Sequence, residues 1–241
     1  MASRQPGRNL DVLIKYRNDK RYLSVGNMLD KENKAIYGLE FSYETIPNEL
    51  NLFDYDAFKA YKGDFYCVVT NLLTCEAEYM KYTGEDRTNT VLKATCALPM
   101  LFPPIIINDT PYMDGGLTDS IPFMRALEDG CDRVLVVLTR EAGYTKTTST
   151  STKAIARYYE KEYPKLSEVM LSRAERYNEC LKQLKEYEDS GKVMVIRPAV
   201  SKGFSRLEKD KNKILSMYND GYNQGYTLTG DIKKFFNYSN S

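Results

Sequence analysis

Two short apolar runs constrain this chain more than any other feature: Tyr66-Cys67-Val68-Val69 within Phe65–Leu72, and Val134-Leu135-Val136-Val137-Leu138 within Asp132–Thr139. Neither alternates apolar with polar, so each reads as a strand covered on both faces. A turn through Thr74–Glu76 predicts a hairpin returning along Ala77–Tyr82. Helical stretches separate the strands. Thr88–Ala97 stops before Pro99. A second helix has Ser120 as its cap and Pro122 in its first turn, and closes at Gly130. Ile155–Glu160 is interrupted at Pro164. A longer stretch then carries Leu166, Val169, Met170, Tyr177, Cys180, Leu181 and Leu184 at helical spacing. Gly191 ends it, Lys192–Ile196 is another strand, and a last helix runs from about Ser205 beyond Tyr218. Before all of these, residues 1–60 read as short helices, one of them capped by Ser24. The alternation predicts an α/β fold with a mostly parallel sheet and helices on both faces.

The chain has 241 residues, no internal repeat and interspersed charges, which predicts a single domain over 1–241. The Thr/Ser/Lys-rich segment 145–153 predicts a mobile loop. A net charge of +1 gives no basic excess for nucleic acid. The longest apolar run, Cys96–Ile107, contains three prolines and falls far short of the roughly 20 residues of a spanning helix. The polar start has no signal-peptide pattern. Five scattered cysteines, none in Cys-x-x-Cys spacing, predict reduced thiols and a cytoplasmic setting. There is no histidine at all, so acid–base chemistry within this chain rests on carboxylates, Lys, Tyr or Cys. No metal or organic cofactor is implied.

The stretch that carries chemistry is Thr95-Cys96-Ala97-Leu98-Pro99-Met100-Leu101-Phe102-Pro103-Pro104, followed by Tyr112-Met113-Asp114-Gly115-Gly116-Leu117-Thr118-Asp119-Ser120-Ile121-Pro122. Each piece alone is common. The ordered set resembles a bacterial branch of the patatin-like phospholipase family, in which an x-Phe-Pro-Pro turn precedes an Asp-Gly-Gly or Asp-Gly-Ala motif. Phe53-Asp54-Tyr55, Ala126–Gly130, Val136–Arg140, Ser205–Glu208 and Tyr218–Tyr222 extend the resemblance. It implies a three-layer α/β/α fold and hydrolysis of acyl esters of lipids by a Ser-Asp dyad. Asp114 would be the dyad carboxylate, with Gly115, Gly116, Phe102, Pro103 and Pro104 shaping the site. The implied partner is a lipid or other acyl ester, and transient contact with a membrane surface is allowed.

The sequence departs from that pattern in one respect: none of its 14 glycines forms Gly-x-Ser-x-Gly. Gly203-Phe204-Ser205-Arg206-Leu207 lacks the second glycine, and Ser205 reads as a helix cap. A segment resembling Ser3-Arg4-Gln5 follows the nucleophile helix in the family branch. The expectation is therefore a fold incomplete at its N-terminus, with the serine encoded upstream and the chain inactive alone. The alternative is a lipid-binding pseudoenzyme. Four further readings stay open beside these. Asp114 begins an ordinary turn with Gly115 left-handed; Cys96 replaces the serine; Leu98–Ile107 lines an acyl pocket or fills the core; Arg140 meets a headgroup or solvent.

Overall fold

The computed structural model describes residues 2–200, 203–205 and 207–237, so Arg206 of the motifs above lies outside the described residues. The helices are α1 (Arg8–Tyr16), α2 (Val25–Leu29), α3 (Tyr55–Lys59), α4 (Thr90–Thr95), α5 (Phe123–Glu128), α6 (Thr150–Tyr159), α7 (Pro164–Asp189), α8 (Lys211–Thr227) and α9 (Thr229–Phe235). The strands are β1 (Tyr66–Asn71), β2 (Ala77–Lys81), β3 (Ile105–Ile107), β4 (Thr110–Asp114), β5 (Val134–Val137) and β6 (Val193–Ile196). The chain divides into two compact units. One comprises residues 1–120 and 148–173; the other comprises 121–147 and 174–241.

The first unit holds a four-stranded sheet in the order β2-β1-β4-β3. All three of its pairings are antiparallel, which corrects the expectation of a mostly parallel sheet. A run buried on both faces looks the same whichever way its neighbours point. Here β1 is central, so its apolar continuity reports burial and not direction. β3 joins β4 through Asn108 and Asp109, both at positive φ (48° and 61°), the two-residue turn whose twist suits a hairpin. The sheet and α4 enclose Ala35, Val69, Ala94, Ala97, Phe102, Ile105 and Tyr112. On another side, Leu72, Met113 and Leu117 pack with Ala156 and Tyr159 of α6 and with Leu166 and Met170 of α7.

Residues Phe41–Leu50 form a wide helix with Pro47 inside it. Proline has no N–H to donate to the preceding turn. The Tyr43 carbonyl accepts from the Asn89 side-chain amide at 2.6 Å, and the helix closes with Asn51 N–H on Ile46 O, five residues back. Ser24 caps α2 as expected. Segment 145–153 is irregular only to 149. Ser149 accepts from Thr152 N–H and starts α6 at Thr150, so the Thr/Ser composition supplies a cap as well as a loop.

In the second unit β5 and β6 pair in parallel, with Val134 opposite Val193. They pack with Ile121, Phe123, Tyr177 and Leu184. The apolar stripe of α7 is thus shared: its early residues belong to the first unit's core and its later ones to the second's. Two expected caps fail. Pro122, not Ser120, precedes α5. Asp210, not Ser205, caps α8, accepting from Asn212 and Lys213, while Ser205 accepts from Leu207 N–H in a local turn. An acidic side chain one residue before the helix outcompetes a serine several residues away.

Candidate active site

Asp114 closes β4, opposite Val69 of β1. Its N–H donates to Ala97 O at 2.9 Å, at the end of the segment that leaves α4. Its carbonyl accepts from the Thr70 hydroxyl at 2.9 Å, and Thr70, fully buried, also meets Thr118 Oγ1 at 2.9 Å. Thr95 Oγ1 donates to Val68 O at 2.6 Å and ties α4 to the same strand. The backbone that bears the carboxylate is therefore fixed from three sides before its side chain is considered. Asp114 Oδ1 then accepts the Gly116 N–H at 2.7 Å as the chain enters a tight turn over Gly115–Leu117.

The two glycines do different things. A β-carbon on Gly115 would stand 2.2 Å from Val68 O and 2.4 Å from Val68 C, so this residue is where β1 and the turn touch backbone to backbone. A β-carbon on Gly116 would meet side-chain ends instead, Asp114 Oδ1 at 2.8 Å and Arg173 Nη2 at 3.2 Å. Neither glycine takes a positive φ, so the ordinary turn with a left-handed Gly115 does not form. Ser120 is used here: its hydroxyl donates to Gly116 O at 2.7 Å, which also accepts Arg173 Nε–H at 2.5 Å. Asp119 Oδ2 accepts from Tyr79 OH at 2.6 Å.

Phe102 is buried and stacks on Tyr37, rings 5.8 Å apart and 22° from parallel. It packs in the cluster that contains Ala97, whose carbonyl receives the Asp114 N–H. Pro103 and Pro104 are half-buried and deliver the chain to β3. Of the run Leu98–Ile107, Phe102 and Ile105 fill the core while Met100 and Ile106 are exposed.

Cys96, just past α4, is exposed as a residue, yet neighbouring atoms partly desolvate its thiol. That desolvation pushes the thiol pKa up. The hydrogen bond with the Tyr43 hydroxyl works the other way, and the negative charge of Asp114 adds to the rise. A thiol held protonated is a poor nucleophile, which weighs against Cys96 as a substitute for serine. Burial also raises the Tyr43 and Tyr22 hydroxyls far from ionisation, and the buried Arg17 donates to Tyr37 OH at 3.2 Å. Asp114 thus has beside it an uncharged Cys–Tyr pair, of which the sequence singled out Cys96 but not Tyr43. No local pattern marks Tyr43 or Arg173, because both reach the site from distant elements.

Arg140 lies 4.9 Å over the Tyr144 ring. An open concavity lined by Pro47, Leu52, Phe53, Tyr55 and Arg87 shares no residue with the Asp114 turn. Among the described residues no cluster of three or more His, Cys, Asp or Glu side chains suits a metal ion. None of their helices is long and apolar enough to cross a membrane.

Two family matches bear on this geometry. Residues 163–237 match a domain of unknown function, DUF6363. No curated protein matches the chain. Residues 5–127 match the patatin-like phospholipase family, and this span contains β1–β4, Cys96, Phe102-Pro103-Pro104 and the Asp114-Gly115-Gly116 turn. Since that match covers slightly more than half of the chain, and the turn it includes is held as described, the chain belongs to the patatin-like phospholipase family of lipid acyl hydrolases.

Proposed function

We propose that this chain contributes the general base of a serine acyl hydrolase acting on lipid esters, with Asp114 as that base. The observation that supports it most is the clamped β4 terminus, which holds a carboxylate on a turn stripped of side chains at Gly115 and Gly116. A serine hydroxyl is a weak nucleophile until its proton is removed. With no histidine in the sequence, Asp114 takes that proton directly while the serine oxygen bonds to the acyl carbon. The tetrahedral intermediate expels the alcohol, which receives the proton from Asp114, and an acyl-serine remains. Asp114 then deprotonates a water that attacks the acyl carbon, and it returns that proton to the serine oxygen as the acyl–oxygen bond breaks and the fatty acid leaves. The serine lies in no Gly-x-Ser-x-Gly of these 241 residues, so this reading takes the nucleophile from outside them. The substrate is a lipid or other acyl ester met at a membrane surface in a cytoplasmic setting.

That same absent motif favours a second reading, a family member that binds acyl chains without cleaving them. The deciding experiment expresses the chain with and without its upstream coding sequence and measures hydrolysis of a short-chain p-nitrophenyl ester. The dyad reading requires activity only in the longer form, and a loss of about 10²–10⁴-fold on Asp114→Asn with little change in thermal midpoint. Full activity in Asp114→Asn refutes it. Inactivity of both forms, with retained fatty-acid binding, establishes the second reading.

A further inference from the structure

We propose that Arg173 is the positioning residue of the Asp114 turn: its guanidinium grips the Gly116 carbonyl and stands within about 6 Å of the carboxylate, across the bare face of that glycine. The inference rests on the reading of Asp114 as the base, and it adds a residue from α7, well outside the 5–127 match.

The geometry is specific. Arg173 Nε–H donates to Gly116 O at 2.5 Å. Its Nη2 stands 3.2 Å from the point a Gly116 β-carbon would occupy, and Asp114 Oδ1 stands 2.8 Å from that point. Guanidinium and carboxylate are therefore separated by no more than about 6 Å, the range over which opposite charges matter. Gly116 is held at both ends of its own peptide unit, its N–H by Asp114 Oδ1 and its carbonyl by Arg173 together with Ser120. The planar guanidinium can serve the carbonyl through one nitrogen while offering another to the carboxylate, whereas a lysine would have to serve both from a single nitrogen. The other ionisable groups at this turn are the Cys96 thiol and Asp119, the latter engaged by Tyr79 OH.

A residue that only supports folding would loosen the whole unit when replaced. A positioning residue loosens this turn alone. Amide hydrogen exchange on the 241-residue chain separates the two. In Arg173→Gln the Gly116 amide is expected to exchange about 10- to 100-fold faster, the ratio for losing a charge-assisted hydrogen bond, while the Val69 and Met113 amides keep their protection. Arg173→Lys should restore at most part of the effect. Gly116→Ala provides an independent route, because its methyl enters the space between the two side chains and pushes their ends apart without removing either group, and the same local acceleration is expected. If Arg173→Gln does not fold, Gly116→Ala decides alone. Unchanged Gly116 exchange, or uniform acceleration across β1 and β4, overturns the proposal. In the ester-hydrolysing form Arg173→Gln should lower kcat about 10²-fold with KM nearly constant, as for a displaced catalytic group. If Asp114→Asn leaves hydrolysis intact, the base assignment fails, while the exchange result on Gly116 still tests Arg173.

Discussion

Replacing Gly115 by alanine puts one methyl group into the contact on which the site is built. The new carbon would sit 2.2 Å from Val68 O and 2.7 Å from Val68 Cβ, where ordinary contacts begin at 3.4 Å. Relief requires β1 and the turn to separate by about 1.2 Å, the difference between those two distances to the oxygen. The obstacle is backbone, so no rotamer change removes it. A shift of that size stretches the 2.9 Å bond from Thr70 Oγ1 to Asp114 O beyond hydrogen-bond length and strains the pairing of Val69 with Asp114. Overpacking costs about 1–3 kcal/mol, and each weakened buried hydrogen bond about 1 kcal/mol. The expected destabilisation is about 3–5 kcal/mol, or about 10 °C in thermal midpoint for a chain of this size. Circular dichroism melts and urea titrations of Gly115→Ala and Gly116→Ala side by side measure it. Gly116→Ala, which displaces only flexible side-chain ends, should lose about 1 kcal/mol. A Gly115→Ala midpoint within about 2 °C of the parent would falsify the claim that this glycine is a backbone contact.

Three further outcomes follow from other residues. Removing the Asp114 charge by Asp114→Asn should lower the Cys96 thiol pKa and speed its alkylation by iodoacetamide about threefold near pH 8, since the thiolate fraction sets the rate; peptide-resolved mass spectrometry separates it from the other cysteines, and a slower rate contradicts the stated charge relation. Although partial burial opposes ionisation, hydrogen bonds from Thr88 and Thr90 hold the Asp86 carboxyl down at about 2. Its pKa being lower folded than unfolded, that stabilisation is present above about pH 4 and is lost as pH falls towards 2, by about 1 kcal/mol after allowing for its exposure; Asp86→Asn should flatten the acid limb of the stability curve, and an unchanged limb rules the contribution out. Asp210→Ala should cost about 1 kcal/mol through loss of the cap on α8, whereas Ser205→Ala should be nearly silent; the reverse order in urea titrations would restore Ser205 as the cap.

Strand positions were legible because burial leaves its mark on each residue: β1, β2, β5 and β6 all fall within the runs read from sequence. Direction was not, since Val68 and Val69 are equally apolar beside a parallel or an antiparallel neighbour. β3 escaped notice because Ile105–Ile107 was read with the apolar run before it, although the Asn108-Asp109 pair after it carries a hairpin signal. For α7, periodicity gave the buried face but not its division between two cores. At the site, Asp114 and its glycines were legible as a motif, but the separate reasons for Gly115 and Gly116 were not. Those depend on Val68 and Arg173, neither of which is near them in sequence. Serines at 120 and 205 misled for a common reason: a hydroxyl can cap a helix, but it goes to whichever backbone group is closest.

The bond from the Asn89 side chain to Tyr43 O has a consequence for how the first unit opens. Asn89 is buried at a left-handed φ of 54° directly before α4. Its amide donates to Tyr43 O in the wide helix and to Tyr55 OH, while its side-chain oxygen accepts from Tyr82 OH just past β2. A single side chain therefore interlocks three segments that are remote in sequence. None can swing away without breaking bonds at Asn89, so Phe41–Leu50, the start of α3, the end of β2 and the start of α4 should open to solvent as one cooperative foldon with a common opening free energy. Tyr43, whose hydroxyl bonds the Cys96 thiol, belongs to that foldon, so the surroundings of Cys96 should open together with the bonds at Asn89.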